Sequence, residues 1–191
     1  MPKSKEQCEK MRDDMRSKIL KESSMYFARN GFGDTKISDL AKHIGIGQGT
    51  IYLYFKSKEE LFEEIRSAAD NKDEIKKIKL LNKMPIPAKV KIDKISEEVC
   101  NHLADDEEYC VRITLQTQLL LEREDMYADD LYKELAKTIK QGQKEGSIIK
   151  KDALYLADLY WGNVYLYALK RLFSKNIGAL EKETLNRLLE K

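Results

Sequence analysis

Phe27 to Phe62 reads FARNGFGDTKISDLAKHIGIGQGTIYLYFKSKEELF, and this stretch decides the fold. Asn30-Gly31 stops the helix before it, because Gly accepts the left-handed conformation that closes a helix. That first helix is predicted over about Lys5–Asn30, with Met11, Met15, Ile19, Leu20, Met25, Tyr26 and Phe27 as its apolar side. Phe32 then plugs back into the core. Thr35 is placed to cap a short second helix, in which Ile37, Leu40, Ala41 and Ile44 recur at helical spacing. Gly45 ends that helix, and after a tight turn through Ile46-Gly47 a third short helix spans roughly Gln48–Tyr54. Ser57-Lys58-Glu59-Glu60 is a capping box, with Ser57 as cap and Glu60 placed to reach back. It opens a helix expected to run from Ser57 to about Leu80. Three helices with a Gly-containing turn between the second and third form a helix-turn-helix pattern.

Working outward, the 191-residue chain has 42% hydrophobic and 36% charged residues, enough apolar content for a packed core. Only three Pro and nine Gly interrupt it, which points to an all-α protein. The net charge of +2 hides an asymmetry. Residues 1–58 hold twelve Lys/Arg against seven Asp/Glu, whereas 97–134 hold three against twelve. A basic front end beside an acidic body suits one anion-facing surface. Cys8, Cys100 and Cys110 are odd in number and widely spaced, which argues against a disulfide framework and for a reducing compartment. The N-terminus lacks an apolar leader pattern, and no apolar run is long enough to span a membrane. A cytoplasmic location is expected, with no membrane partner.

The quoted stretch closely resembles the N-terminal region of the TetR family of transcriptional regulators. The resemblance rests on Phe27, Gly31, Phe32, Thr35, Leu40, Ala41, Gly45, Ile46, Gly49, Thr50, Ile51, Tyr52, Tyr54, Phe55, Lys58, Glu60 and Leu61. It is strong over about residues 12–65. One departure is Gly47, where the family usually places a Ser that caps the third helix. Gly is a tolerable cap, but it leaves only backbone N–H for a phosphate.

The resemblance implies an N-terminal three-helix DNA-binding domain over residues 1–58, with the motif at about 36–55. A helical ligand-binding and dimerisation domain would follow over 59–191, about nine helices in all. A recognition helix enters the major groove by its N-terminal residues, here Gln48, Gly49 and Thr50. Gln can pair with an adenine edge, Thr can meet a thymine methyl or an acceptor, and Gly49 removes bulk. Ser38 can also reach base edges in the family. Thr35, Lys36, Gly47, Tyr52, Tyr54 and Lys58 are the candidates for positioning phosphates.

Beyond the Met84-Pro85-Ile86-Pro87 break, helices are expected at roughly Ala88–Leu103, Glu107–Leu121, Ala128–Lys144, Lys151–Phe173 and Leu180–Glu190. The fourth of these is apolar on two faces. Ala153, Leu156, Ala157, Tyr160, Trp161, Val164 and Ala168 form one, and Tyr155, Leu159, Gly162, Leu166, Leu169 and Phe173 form the other. A helix apolar on both sides is buried on both. In the family the last two helices pair across a two-fold axis. That implies a homodimer through Leu159, Gly162, Leu166, Leu169, Phe173, Leu185 and Leu188, although which face of 151–173 meets the partner is open. The family's cavity for a small-molecule effector would draw on Cys100, Leu103, Ile113, Gln116, Thr117, Leu120, Tyr127, Tyr160, Trp161, Asn163 and Tyr167.

No phosphate-binding loop, dinucleotide turn or nucleophile elbow is present, so no catalytic residues and no cofactor are expected. Cys100, His102 and Cys110 do not have a standard zinc spacing, and no metal is expected. The function implied is a repressor released from a palindromic double-stranded DNA operator by a small molecule. The alternative is a ligand-independent or architectural DNA binder of the same fold.

Overall fold

A computed structural model describes residues 5–69, 72–121, 129–174 and 176–190. The described residues form ten α-helices and no strand. Contacts divide the chain into two compact units, Met1–Ala69 and Asp70–Lys191.

The first unit holds α1 (Lys5–Asn30), α2 (Ile37–Ile44), α3 (Gln48–Tyr54) and α4 (Lys58–Ala68). Its core is built on the apolar set of the quoted stretch: Phe27, Leu40, Ala41, Ile44, Ile51, Phe55, Leu61 and Phe62 are all buried, joined by Ile19 from α1 and Ile65 from α4. Phe32 stacks on Phe62 at 4.2 Å between centroids, and Phe27 meets Phe62 edge-on at 5.5 Å. These contacts place α4 with the first unit, so the chain divides after Ala69 rather than after Lys58. The expected single helix from Ser57 to Leu80 is two helices. Ala69 leaves the helical path at φ −87°, ψ 23°, and α5 (Lys72–Lys83) follows.

Gly45 sits at φ 77°. Its N–H donates to the Lys42 carbonyl at 3.2 Å and that of Ile46 to the Ala41 carbonyl at 3.0 Å, a Schellman closure that turns the chain from α2 into α3. Ser57 accepts from the Glu60 N–H at 3.1 Å, as a capping box requires. The Glu60 carboxylate reaches back one residue further than expected, to the N–H of Lys56.

The second unit adds α6 (Ala88–Asp105), α7 (Glu107–Leu121), α8 (Asp130–Glu145), α9 (Ala153–Phe173) and α10 (Lys182–Arg187) to α5. Helix α9 packs against α6, α7 and α8. Its first face is buried throughout, with Tyr160 and Trp161 edge-to-face at 5.2 Å. A polar chain ties α10 to α6: Tyr160 donates to Ser96 at 2.8 Å, Ser96 to Asn186 at 2.6 Å, and Asn186 to Asp93 at 2.7 Å. Gly142 lets α8 approach its neighbours, since a Cβ there would lie 2.5 Å from Ile148 and 3.1 Å from Ala88.

Candidate nucleic-acid interface

The turn closed by Gly45 exposes the start of α3. Gln48 and Gly49 are exposed there, Thr50 is half-buried, and Gly47 is exposed with extended backbone. Ser38 is half-buried on α2, and Lys36 is exposed just before it. Lys36, Ser38, Gln48 and Tyr52 border one open groove, joined by Lys56, Ser57 and Glu59. Tyr52 is 47% exposed, although a Tyr at this point could have been core. Tyr54 is half-buried. Lys56 is a groove residue absent from the expected set. Its only sequence signal is that it lies between Phe55 and the Ser57 cap. The rim is not uniformly basic, because Glu59 shares it. Backbone N–H and the Ser57 hydroxyl hold its carboxyl below the usual range, so it is ionised.

Two of the expected phosphate-positioning side chains are occupied inside the protein. Thr35 is buried, and its hydroxyl donates to the Gly31 carbonyl at 2.6 Å. Its one O–H is therefore spent, and α2 has no side-chain cap. The Lys58 ammonium donates to the carbonyls of Phe32, Gly33 and Thr35 at 2.9, 3.3 and 3.1 Å. It also lies 4.3 Å from the Phe32 ring centre. A Lys has three donors, and all three here tie down the α1–α2 loop. Lys58 thus organises the groove rather than presenting a charge to it.

In the second unit, the other face of α9 is exposed. Tyr155, Leu159, Leu166, Leu169 and Phe173 stand in solvent, Phe173 by 63%, and Gly162 is exposed among them. A Cβ on Gly162 would meet nothing within 4 Å. Leu185 departs from the expected interface set: it is buried under its own chain along with Leu180 and Leu189, because the short α10 lies on α6. Leu188 is half-buried.

Of the expected effector-lining residues, Trp161 borders a cavity between α5, α6, α7 and α9. Cys100, Leu103, Ile113, Gln116 and Tyr160 are buried. Thr117 and Asn163 are half-buried, their side chains bonded to the carbonyls of Ile113 and Leu159, and Tyr167 is half-buried. The Leu120 side chain and Tyr127 lie outside the described residues. Burial pushes the Cys100 and Cys110 thiols up to about 11, so both stay protonated at neutral pH. Among the described residues, no group of three or more His, Cys, Asp or Glu is placed to hold a metal, and no helix is long and apolar enough to cross a membrane.

Residues 19–65 match the family described as bacterial regulatory proteins, tetR family. Over that segment the chain carries the N-terminal domain of the TetR family. Over 52 residues it is 40% identical to the uncharacterised HTH-type transcriptional regulator YdgC of Bacillus subtilis, an alignment covering 27% of each chain. Over 174 residues it is 27% identical to IcaR of Staphylococcus aureus, the HTH-type negative transcriptional regulator of the biofilm operon icaADBC, covering 88% of this chain and 90% of IcaR. A TetR-family regulator from Agrobacterium tumefaciens shares the fold with a TM-score of 0.60 at 17% identity, covering 93% and 94% of the two chains. The protein is a DNA-binding transcriptional regulator and not an enzyme.

Proposed function

We propose that this TetR-family protein is a homodimeric repressor that occupies a palindromic operator and leaves it when a small molecule binds the second unit. The observation that carries the DNA reading is the exposed start of α3, with Gln48, Gly49 and Thr50 beside a groove bordered by Lys36, Ser38 and Tyr52. Gln48, Thr50 and Ser38 read base edges, and Gly49 admits close approach. Lys36, Tyr52, Tyr54, the Gly47 N–H and Lys56 position phosphates. A repressing role is supported by the likeness to IcaR, a negative regulator, along most of both chains.

The exposed stripe of α9 supports the dimer. Five large apolar side chains on one helix face are costly to leave in water, at about 25 cal/mol per Å². A two-fold partner that covers Leu159, Gly162, Leu166, Leu169 and Phe173 removes that cost. It would set two recognition helices about 34–36 Å apart, one turn of DNA. The effector acts only in so far as it binds the two states of the dimer with unequal affinity.

The test is selection of bound duplexes from a random DNA library at near-physiological salt. A palindromic consensus with half-sites about one helical turn apart is expected. A pool with no enriched sequence would overturn the operator reading in favour of an architectural binder.

A further inference from the structure

Three residues that line one cavity of the second unit each carry a buried polar atom with no partner among the described residues: Glu74 Oε2, the Tyr109 hydroxyl and the Trp161 indole nitrogen. Buried polar groups are nearly always hydrogen-bonded, so each exception needs an explanation. Tyr109 and Trp161 are 3% and 1% exposed, and they come from α7 and α9, whereas Glu74 comes from α5. The hollow has about 30 Å³ of room inside, and about 350 Å³ when the space open to solvent at its mouth is included. Ile78, Leu81, Ile95 and Val99 make the apolar part of its wall, and Lys77, Glu98 and His102, which stacks on Tyr109, complete the lining.

The charges around it are already neutralised. Glu74 accepts through its other oxygen from Arg112 at 2.6 Å, and that guanidinium lies 4.9 Å from the Tyr109 ring centre. At the rim, Lys77 is paired with Glu98. A cationic ligand would have to compete with Arg112 for Glu74. An anionic one would face two carboxylates. Burial first, and the Glu74 charge next, hold the Tyr109 phenol well above its ordinary range, so it remains an O–H donor.

The unmet demand is therefore two donors and one acceptor around an apolar hollow. A hydroxyl group is its complement: the oxygen accepts two hydrogen bonds and its proton is donated once. We propose that this cavity binds an uncharged, hydroxyl-bearing apolar molecule, its O–H donated to Glu74 and its oxygen accepting from Tyr109 and Trp161. This rests on the reading of the second unit as the effector unit, and it assigns the effector's chemistry. The contact on α5 is the one nearest in sequence to α4 and the DNA-binding unit.

Trp161 is the sole tryptophan of the chain, so its emission reports on the cavity directly. The full chain, without DNA, is titrated with cyclohexanol, methoxycyclohexane, cyclohexylammonium and cyclohexanecarboxylate. A saturable spectral change with cyclohexanol is expected, with the other three at least about tenfold weaker. Tyr109→Phe and Glu74→Gln should each weaken cyclohexanol roughly tenfold, the scale of one lost bond to a buried polar partner. Circular dichroism of both variants separates this loss from unfolding. No saturable response to the alcohol would overturn the proposal and leave a site for ordered water alone, and so would equal binding of the ether or tighter binding of the ammonium. Operator affinity, measured separately with and without cyclohexanol, distinguishes the two readings. Binding without operator release sinks the switch but not the site. Intact operator recognition with no alcohol binding sinks the site but not the regulator.

Discussion

Lys58 and Lys36 lie in the same groove and have opposite fates. The ammonium of Lys58 is saturated by three loop carbonyls, whereas Lys36 is exposed. Lys36→Ala should lower the slope of log affinity against log salt by about two, one for each protomer of the dimer. Lys58→Ala should leave that slope unchanged and instead cost about 1–3 kcal/mol of stability in urea denaturation, through lost charge-assisted bonds. A reduced slope for Lys58→Ala would return it to the phosphate set. Gly47 and Gly49 separate stability from function in the same way. Gly47 has the extended backbone of an N-cap and no neighbour closer than 3.7 Å to an added Cβ. Gly47→Ser should therefore stabilise by a few tenths of a kcal/mol. Gly49 is inside α3 with open space around it. Gly49→Ala should raise stability by about 0.5–1 kcal/mol yet weaken operator binding, because it adds a methyl to the exposed start of α3, the part proposed to approach DNA. Retention of full operator affinity would remove close approach as the reason for this glycine.

At the scale of elements, two helix-interior glycines make contrasting cases. Gly142 has its reason inside the chain, since a methyl there would collide with Ile148 and crowd Ala88. Gly142→Ala should destabilise by about 1–3 kcal/mol, the cost of overpacking. Gly162 has no such reason within its own chain, although it weakens the interior of a 21-residue helix by up to about 1 kcal/mol. A partner helix crossing at Gly162 would supply one. Gly162→Leu should then leave the subunit folded but shift sedimentation from dimer to monomer. An unchanged dimer would place the contact elsewhere on α9. Leu185 shows the limit of reading faces from sequence. A short helix rich in Leu needs cover, and here α6 supplies it.

For the molecule as a whole, dimer formation and DNA binding are coupled. A monomer offers one recognition helix and so loses the two-site contact. Leu166→Glu, on the exposed stripe, should abolish the dimer and operator binding together while leaving the circular dichroism spectrum intact. The charged surface predicts an acid limit. Asp130 is held below its ordinary range by Lys79, whose ammonium donates to it at 2.8 Å. Glu145 is held low by Gln141 and by the Ala88 N–H at 2.8 Å. Depressed carboxyls add stability above their unfolded pKa of about 4 and lose it as pH falls through the lower folded values. The urea midpoint should thus be flat from neutral pH to about 5 and fall below about 4. Asp130→Asn with Glu145→Gln should make that fall shallower.

The helix-turn-helix was legible because its determinants are local. Gly45 must adopt a left-handed turn, Ser57 must cap, and the apolar residues of α2 and α3 recur at helical spacing within a few residues of one another. Both faces of α9 were legible for the same reason, since periodicity along one helix separates them. What covers each face was not, because cover is supplied by residues far away in the chain. Tertiary structure alone decided that the Trp161 face is the core and the Leu166 face is bare, that α6 takes up Leu185, and that carbonyls 23 to 26 residues upstream capture Lys58. The cavity belongs to the same class. Glu74, Tyr109 and Trp161 carry no shared motif, and only the packing of α5, α6, α7 and α9 brings these residues around one space.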